Sequence, residues 1–376
     1  MNLNPEILER SETSEDVNIL VGINGSGKST YLNELSKYFL NRGNNVIAIA
    51  NTIFDKFNSR DRNFNILRHS RGKGTVKRTI RDVFESFHNR RERDVYGLSS
   101  VFEYVGFETG ISVKIVGLRS DYEDQLVGNK HLFEDHEIHD ILAFLREYIE
   151  IQGSYSRGYT FSISHGWKDL RSLDYLKILN FESKLRKAKV LNRIELFFKK
   201  EGAAIPITSA SSGELSILIS MMFINANIDR KTVILIDEPE NSLHPKWQKD
   251  FIQRIMDLFH RYEPKIIVAT HSPLIITGAE STLDQVKVFK ANFAGDFVSF
   301  GKRIMNVEEI YDDYFDVITP QNRFLSTMVI DKLNLLYADK MKIDDFISLM
   351  QEQIDNSFDD IQKGALQEVI KLANDR

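Results

Sequence analysis

The stretch Gly22-Ile-Asn-Gly25-Ser-Gly27-Lys28-Ser29-Thr30 fits the pattern G-x-x-x-x-G-K-[ST]. It lies between an apolar run, Val17–Val21, and a helical segment, and this context distinguishes a phosphate loop from a glycine-rich turn. Glycines here let main-chain N–H groups turn inward around a phosphate. Lys28 would reach the β- and γ-phosphates, and Ser29 would offer its hydroxyl to Mg²⁺. The loop residues predicted to contact a nucleotide are Asn24, Gly25, Ser26, Gly27, Lys28, Ser29 and Thr30.

Further apolar runs predict the rest of a sheet. The predicted buried strands are Val46–Ala50, Val233–Ile236 and Ile266–Ala269. Because several of them are followed by helical periodicity, we expect a mostly parallel sheet with helices on its faces. Val286–Lys290 and Phe297–Phe300 flank a turn and predict a hairpin. The predicted fold class is therefore α/β, with the architecture of a P-loop NTPase.

These elements divide the chain into three parts. The nucleotide-binding head is predicted to be split in sequence, with residues 1–50 and 205–305 on either side of an insertion at 51–204. The insertion is expected to be mixed α/β, with strands at Ile111–Val116 and Tyr159–Ile163 and a helix near His136–Ile151. Residues 306–376 are predicted to form a C-terminal helical segment.

The run Thr232–Ile236 ends in two adjacent carboxylates, Asp237 and Glu238. Because consecutive strand residues point in opposite directions, the two carboxylates cannot do the same task. We expect Asp237 to hold Mg²⁺, and Glu238 to orient or deprotonate the water that attacks the γ-phosphate. Catalysis is therefore predicted to rest on Lys28 and Glu238, together with a histidine identified below.

Later motifs resemble the ABC-type ATPases. Ser211-Ser212-Gly213-Glu214 resembles their signature, and it precedes the carboxylate-bearing strand by one helix. Glu240-Asn241-Ser242-Leu243-His244 is similar to their D-loop, and Thr270-His271-Ser272-Pro273 to the segment with their switch histidine. The residues of these motifs resemble those of the OLD/RecF-like branch of the family. Within that branch, they are similar to the stand-alone ATPase subunits of Septu-type and retron-associated anti-phage defence systems.

This resemblance implies ATP and Mg²⁺ as ligands, ATP hydrolysis as the activity, and a head-to-tail homodimer or a higher even oligomer. Two heads would enclose two ATP molecules, so that Ser211 and Gly213 of one copy approach the γ-phosphate held by Lys28 of another. His271 would be the third catalytic residue, together with Lys28 and Glu238. The implied nucleotide contacts across the interface are Ser211, Ser212, Gly213, Glu214, Asn241 and Ser242.

The sequence departs from the family pattern at two places. Residues 1–30 contain no Phe, Tyr or Trp, so the aromatic that stacks on adenine in transporter ATPases is missing, and ATP over GTP rests on resemblance alone. No glutamine follows the second strand, where the family has its Q-loop, and Asn51 is the substitute that the sequence offers.

Bulk composition limits the partners. The chain has 376 residues, a formal net charge of −5 and no cysteine, which excludes disulfides and cysteine-based zinc sites. The start of the chain does not resemble a signal peptide and no apolar stretch is long enough to span a membrane, so we expect a cytoplasmic protein without a membrane partner. Lys56–Arg93 contains twelve Lys or Arg against four Asp or Glu, and this stretch could bind DNA or RNA.

A nuclease site is not expected within the chain. No Asp-x-Asp pair is present, and Asp174 with Glu182-Ser183-Lys184 resembles a nuclease pattern only superficially. His131, His136 and His139 could share a divalent metal, although an exposed polar face is the stronger interpretation. If DNA is cut, we expect a separate effector, an HNH-type nuclease or a retron reverse transcriptase complex, to be involved.

Three functions therefore compete. The first is an ATPase that regulates an effector in anti-phage defence. The second is a DNA-repair ATPase of the RecF or structural-maintenance kind, which would act on DNA directly. The third is the ATPase subunit of a transporter, which the missing Q-loop glutamine and adenine-stacking aromatic disfavour.

Overall fold

The structure of the chain is a computed structural model. It describes residues 2–11, 15–52, 55–69, 76–83, 95–152, 159–161, 177–241, 243–292, 296–300, 323–338, 340–356 and 360–374. Parts of several predicted segments lie outside these ranges, namely the hairpin turn at 293–295, residues 162–163, residues 306–322 and Ser242.

The central feature is a seven-stranded sheet in the order β11-β10-β1-β9-β8-β2-β3. Its strands are β1 (Asp16–Val21), β2 (Val46–Ala50), β3 (Phe64–Arg68), β8 (Val233–Asp237), β9 (Lys265–Thr270), β10 (Val286–Ala291) and β11 (Phe297–Ser299). All neighbours are parallel except β10 and β11, which form an antiparallel hairpin. The predicted strands and hairpin are confirmed, as is the mostly parallel α/β fold of a P-loop NTPase.

The four central strands β1, β9, β8 and β2 are buried on both faces, which explains why they are nearly continuous apolar runs. In β8, Val233 and Leu235 pack on one face with Tyr31 and Leu35, whereas Ile234 and Ile236 pack on the other. One face is covered by α2 (Lys28–Asn41). The other face is covered by α7 (Ser212–Asn227), α8 (Pro245–Phe259) and α9 (Pro273–Thr282). A short α1 (Pro5–Leu8) precedes the sheet.

A second sheet of four antiparallel strands has the order β5-β4-β6-β7. Its strands are β4 (Glu108–Val116), β5 (Tyr159–Phe161), β6 (Arg193–Lys200) and β7 (Ala203–Pro206). The helices of this region are α3 (Val95–Val105), α4 (Tyr122–Gly128), α5 (Asp135–Gln152) and α6 (Ile178–Lys187). The two strands and the helix predicted within the insertion are thus present.

The C-terminal region is helical, as predicted, where the structure describes it. It consists of α10 (Arg323–Tyr337), α11 (Ile343–Asn356) and α12 (Asp360–Asn374). These helices form a core of their own, in which Phe346, Met350 and Leu366 are buried.

β3 lies within the stretch that the sequence analysis assigned to the insertion. It pairs in parallel with β2, with Leu67 opposite Ile49, and so extends the central sheet beyond residue 50. The strand was not predicted because it lies at the sheet edge and its residues are mostly half-buried, which leaves no apolar run to recognise. The division of the chain into domains stays a prediction.

Candidate nucleotide site

The carboxyl ends of β1, β9, β8 and β2 meet at one edge of the sheet. Val21 lies opposite Thr270, and Asp237 lies opposite both Ala269 and Ala50. The residues that follow these strand ends are Gly22, His271, Glu238 and Asn51. Four motifs that are far apart in sequence therefore converge where parallel α/β sheets usually bind their ligands.

The phosphate loop has the main-chain geometry that its glycines predict. Gly27 adopts a left-handed conformation, with φ of 90°, and directly precedes Lys28 at the start of α2. No side chain caps this helix, so its first N–H groups remain available to an anion. At Gly22 a Cβ atom would lie 2.7 Å from Ser26 Oγ and 3.1 Å from Ala291 Cβ, so a larger residue would require these neighbours to move.

Lys28 lies inside the loop. Its Nζ donates hydrogen bonds to the main-chain oxygens of Gly22, at 2.8 Å, and Ile23, at 3.2 Å. Desolvation lowers the pKa of Lys28, and the nearby carboxylates of Glu238 and Glu240 oppose this effect. The ammonium is therefore held in place at the point where a bound phosphate would neutralise its charge.

Asp237 is fully buried at the end of β8. Neither of its carboxylate oxygens has a hydrogen bond of normal geometry, although the Ser29 hydroxyl is close enough to influence it. Burial raises the pKa of Asp237 to about 6, and the neighbouring Ser29 acts in the opposite direction. A buried carboxylate without partners is costly, and a divalent cation would satisfy it, so Asp237 and Ser29 fit Mg²⁺.

Glu238 follows immediately in a left-handed conformation, with φ of 50°, which is strained for a residue with a side chain. Its Oε2 accepts a hydrogen bond from Asn241 Nδ2 at 3.0 Å, and its Oε1 lies 3.7 Å from His271 Nδ1. The His271 imidazole is the main cause of a lowered pKa of Glu238, and the hydrogen bond from Asn241 lowers this pKa further. Desolvation acts in the opposite direction. Glu238 is therefore held as a carboxylate, the form that can accept a proton.

Asn241 also reaches the end of β2. Its Nδ2 lies 3.4 Å from the main-chain oxygen of Asn51, and the Asn51 amide donates to the main-chain oxygen of Asp237 at 3.2 Å. The Asn51 Oδ1 atom is buried without a hydrogen bond. The structure thus places Asn51, the proposed Q-loop substitute, in direct contact with the two motifs after β8.

Glu240 is a site residue that the sequence analysis did not assign. It is buried, and its Oε1 accepts a hydrogen bond from the main-chain amide of His271 at 2.7 Å. Burial raises the pKa of Glu240. In the sequence, Glu240 is only a further acidic residue two positions after Glu238. The contact with the His271 amide, which no local pattern predicts, is what identifies Glu240 as a site residue.

The predicted signature lies in a different place from the phosphate loop. Ser211 caps α7, accepting from the Glu214 amide at 3.2 Å, while Glu214 Oε2 accepts from the Ser211 amide at 3.0 Å. Lys200 Nζ lies 2.7 Å from Glu214 Oε1. Ser211, Ser212 and Gly213 line a cavity of about 470 Å³ whose other walls are His244, Lys246 and Trp247. Within one copy, the signature and Gly22–Ser26 therefore border separate cavities.

Two other predictions receive no site from the geometry. Among the described residues, no group of His, Asp or Glu is placed to hold a metal by itself, and this applies to His131, His136 and His139. The basic stretch Lys56–Arg93 lies partly outside the described residues, at 70–75 and 84–93.

No described helix is both long and apolar enough to cross a bilayer.

Comparison with known proteins identifies the family. The sequence model described as "AAA domain, putative AbiEii toxin, Type IV TA system" matches residues 17–277. This range begins at β1, ends within α9, and contains every predicted site residue of the chain. The match therefore covers the whole carboxyl edge described above.

Individual relatives are distant. The chain is 23% identical to the Retron Vc95 probable ATPase of Vibrio cholerae serotype O1 biovar El Tor, over 75% of this chain and 70% of that protein. It is 21% identical to protein ea59 of Escherichia phage lambda, over 72% of this chain but only 48% of that protein. Among solved structures, the chain is similar to MJ1267, an ATP-binding cassette of an ABC transporter, in its ADP conformation. The identity is 14% and the TM-score is 0.28, and the match covers 79% of this chain and 84% of MJ1267.

Proposed function

The chain belongs to the AAA-domain family of the putative AbiEii toxin, and from this membership we propose that it binds ATP with Mg²⁺ and hydrolyses it to ADP and phosphate. The observation that carries the proposal is the carboxyl edge of the sheet. There the buried Lys28 follows β1, and Asp237, whose carboxylate oxygens have no hydrogen bond of normal geometry, lies with Glu238 at the end of β8. A cation, a metal ligand and a base are the groups that phosphoryl transfer to water requires.

Each residue has a distinct task in this reaction. Lys28 and the main-chain N–H groups at the start of α2 bind the β- and γ-phosphates. Asp237 and Ser29 would hold Mg²⁺, which when bound supplies positive charge to the phosphate oxygens. Glu238 orients the water and accepts its proton as the water oxygen bonds to the γ-phosphorus. The bond between that phosphorus and the bridging oxygen breaks, and ADP leaves with the bond's electron pair.

We further propose that two copies complete each site head to tail. Ser211 and Ser212 are exposed at the start of α7, where Gly213 is buried, and all three border a cavity separate from that of the phosphate loop. The start of a helix carries a partial positive charge that attracts an anion, so this turn is suited to the terminal phosphate of a nucleotide on a second copy. His271 would face the same phosphate from the first copy.

The biological role proposed for this ATPase is control of a separate effector in anti-phage defence. The similarity to the Retron Vc95 probable ATPase supports this role and a retron-type or nuclease partner, such as the HNH-type nuclease expected from the Septu resemblance. A second candidate is direct action on DNA, as in RecF-like repair ATPases, and the basic composition of Lys56–Arg93 favours it. Purification with the products of adjacent genes separates the two: a co-purifying nuclease or reverse transcriptase supports the first, and ATPase stimulation by duplex DNA alone supports the second.

The hydrolysis itself is tested by phosphate release from ATP with Mg²⁺. Glu238→Gln should reduce the rate at least a hundredfold while ATP still binds, because the amide cannot accept the proton. Glu263→Gln is a matched control, since Glu263 has the same φ of 50° but is on the surface beside Arg230. Equal rates for Glu238→Gln and the wild type would remove Glu238 from the mechanism.

A further inference from the structure

A lysine of the second sheet contacts the predicted signature. Lys200 is the last residue of β6, and its Nζ donates a hydrogen bond to Glu214 Oε1 at 2.7 Å. Side chains alternate between the two faces of a strand, so Lys200 points to the same face as the buried Phe198. The Lys200 ammonium also lies 5.7 Å from the centre of the Phe107 ring. An aromatic face and a carboxylate therefore hold the ammonium between them.

The other oxygen of this carboxylate holds Ser211. Glu214 Oε2 accepts hydrogen bonds from the Ser211 hydroxyl at 2.9 Å and from the Ser211 main-chain amide at 3.0 Å. Desolvation raises the pKa of Glu214, but the hydrogen bonds from Lys200 and Ser211 outweigh it, so the pKa lies below its ordinary value. Glu214 is therefore ionised, and its negative charge lies beside the serine that would meet a phosphate.

A negative charge at this turn has opposite effects in the single copy and in the dimer. In the single copy it stabilises the positive start of α7. When the triphosphate held by a second copy approaches, the same charge repels it. A cation paired with Glu214 cancels most of this repulsion. It also makes Oε2 a weaker proton acceptor, because an opposite charge stabilises the carboxylate, and the Ser211 hydroxyl can then donate to the phosphate instead.

We propose that Lys200 is a positioning residue whose positive charge allows the Ser211–Gly213 turn to accept the terminal phosphate of ATP on another copy, a role that rests on the head-to-tail dimer of the proposed function. Lys200 acts through Glu214 rather than on the nucleotide itself. The second sheet thereby influences ATP-dependent dimerisation through one ion pair.

The experiment measures dimer formation in a Glu238→Gln parent protein, which should bind ATP without hydrolysing it. Sedimentation velocity with Mg²⁺ and saturating ATP, over a range of protein concentrations, gives the dissociation constant of the dimer. The test variant is Lys200→Met, which removes the charge and keeps an unbranched side chain beside Phe107. Its control is Lys199→Met, because Lys199 lies on the opposite face of the same strand and pairs with Glu108 at 2.8 Å. The control thus removes the same charge and also breaks an ion pair.

Lys200→Met should raise the dissociation constant of the dimer about tenfold, because each of the two sites then presents an unpaired carboxylate to a phosphate. Lys199→Met should change it by less than about twofold, as expected for a surface pair. Lys200→Arg keeps the charge and should stay within about threefold of the parent protein. ATP binding to the phosphate loop, measured by calorimetry at protein concentrations where the monomer prevails, should be the same in all of these proteins.

A second substitution separates charge from packing. Glu214→Gln added to Lys200→Met replaces the carboxylate by a neutral amide, which needs no counter-charge and can still accept from Ser211 through its oxygen. This double variant should recover most of the dimerisation that Lys200→Met loses. Circular dichroism spectra that match the parent protein show that the variants are folded.

The outcomes distinguish the role of Lys200 from the dimer itself. Equal dissociation constants for Lys200→Met and Lys199→Met would overturn this role. A loss that Glu214→Gln does not reverse would overturn it as well, since the lysine would then act by packing and not by charge. A parent protein that binds ATP but stays monomeric would overturn the head-to-tail dimer, and the role of Lys200 with it.

Discussion

The main-chain amide of His271 donates a 2.7 Å hydrogen bond to Glu240 Oε1, and the imidazole Nδ1 lies 3.1 Å from the same oxygen. Glu240 therefore holds the main chain of this histidine, and its carboxylate faces the ring nitrogen, which makes no hydrogen bond of normal geometry. Glu238 Oε1 lies 3.7 Å from the same Nδ1. With Nδ1 facing two carboxylates, the ring has only Nε2 left for a γ-phosphate. The nearby carboxylate of Glu238, and then that of Glu240, raises the pKa of His271, against desolvation.

Glu240 is predicted to act as a positioning residue. Glu240→Gln should lower kcat about tenfold and change the KM for ATP by less than about twofold, because the ring loses its anionic partner while the phosphate loop is untouched. Glu240→Asp should recover part of the loss. In a His271→Ala background, Glu240→Gln should cost almost nothing more, since the ring it positions is absent. Additive losses in the double variant would show that Glu240 acts independently of His271.

Asp237 is predicted to weaken the nucleotide-free fold. Its folded pKa of about 6 is above the unfolded value near 3.9, so the folded state binds more protons between these values and stability falls as pH rises through them. Asp237→Asn should therefore raise the free energy of unfolding by about 2 kcal/mol at pH 8, which corresponds to a Tm increase of a few degrees. The gain should be smaller at pH 5, where the wild-type carboxyl is largely protonated in the folded protein.

The same variant should lose Mg²⁺-dependent stabilisation by ATP, because the ligand that the metal would use is gone. Thermal melts with ATP, with and without Mg²⁺, measure this directly. A wild-type protein that gains nothing from Mg²⁺, or an Asp237→Asn protein that gains as much as the wild type, would contradict the assignment of Asp237.

Gly22 is predicted to be essential for the shape of the phosphate loop. Gly22→Ala should weaken ATP binding about tenfold, because the added Cβ would lie 2.7 Å from Ser26 Oγ and force the loop to shift. Gly128→Ala is the control, since nothing lies within 4 Å of a Cβ there. Equal ATP affinities for the two variants, measured by calorimetry, would show that the loop tolerates the change.

The fold and much of the site could be predicted from local sequence. The loop Gly22–Thr30 and the run that ends in Asp237 and Glu238 have strong signals, because a buried parallel strand must be apolar and a phosphate site must be glycine-rich. The convergence of Asn51, His271 and Asn241 follows from the parallel order of the strands. Order in the sheet, however, is a tertiary property that the apolar runs do not specify.

Other features depend on contacts between distant segments and had no local signal. β3 is an edge strand with mixed residues, and only its pairing with β2 shows that it belongs to the central sheet. Glu240 looks like one more surface acid until the His271 amide is seen to bond to it. The face of α11 that lines the cavity by the phosphate loop cannot be predicted from helical periodicity, which identifies a helix but not its neighbour.

In the proposed dimer, one copy holds the terminal phosphate and the Ser211–Gly213 turn of another completes the site. This shared site is tested most directly by mixing two inactive proteins, Lys28→Ala and Ser211→Arg, and measuring phosphate release from ATP. In a head-to-tail dimer each mixed pair has one site with both elements intact, so an equal mixture should recover about a quarter of the wild-type rate. A mixture no more active than the two variants measured separately, under conditions where the subunits are shown to exchange, would contradict the shared site.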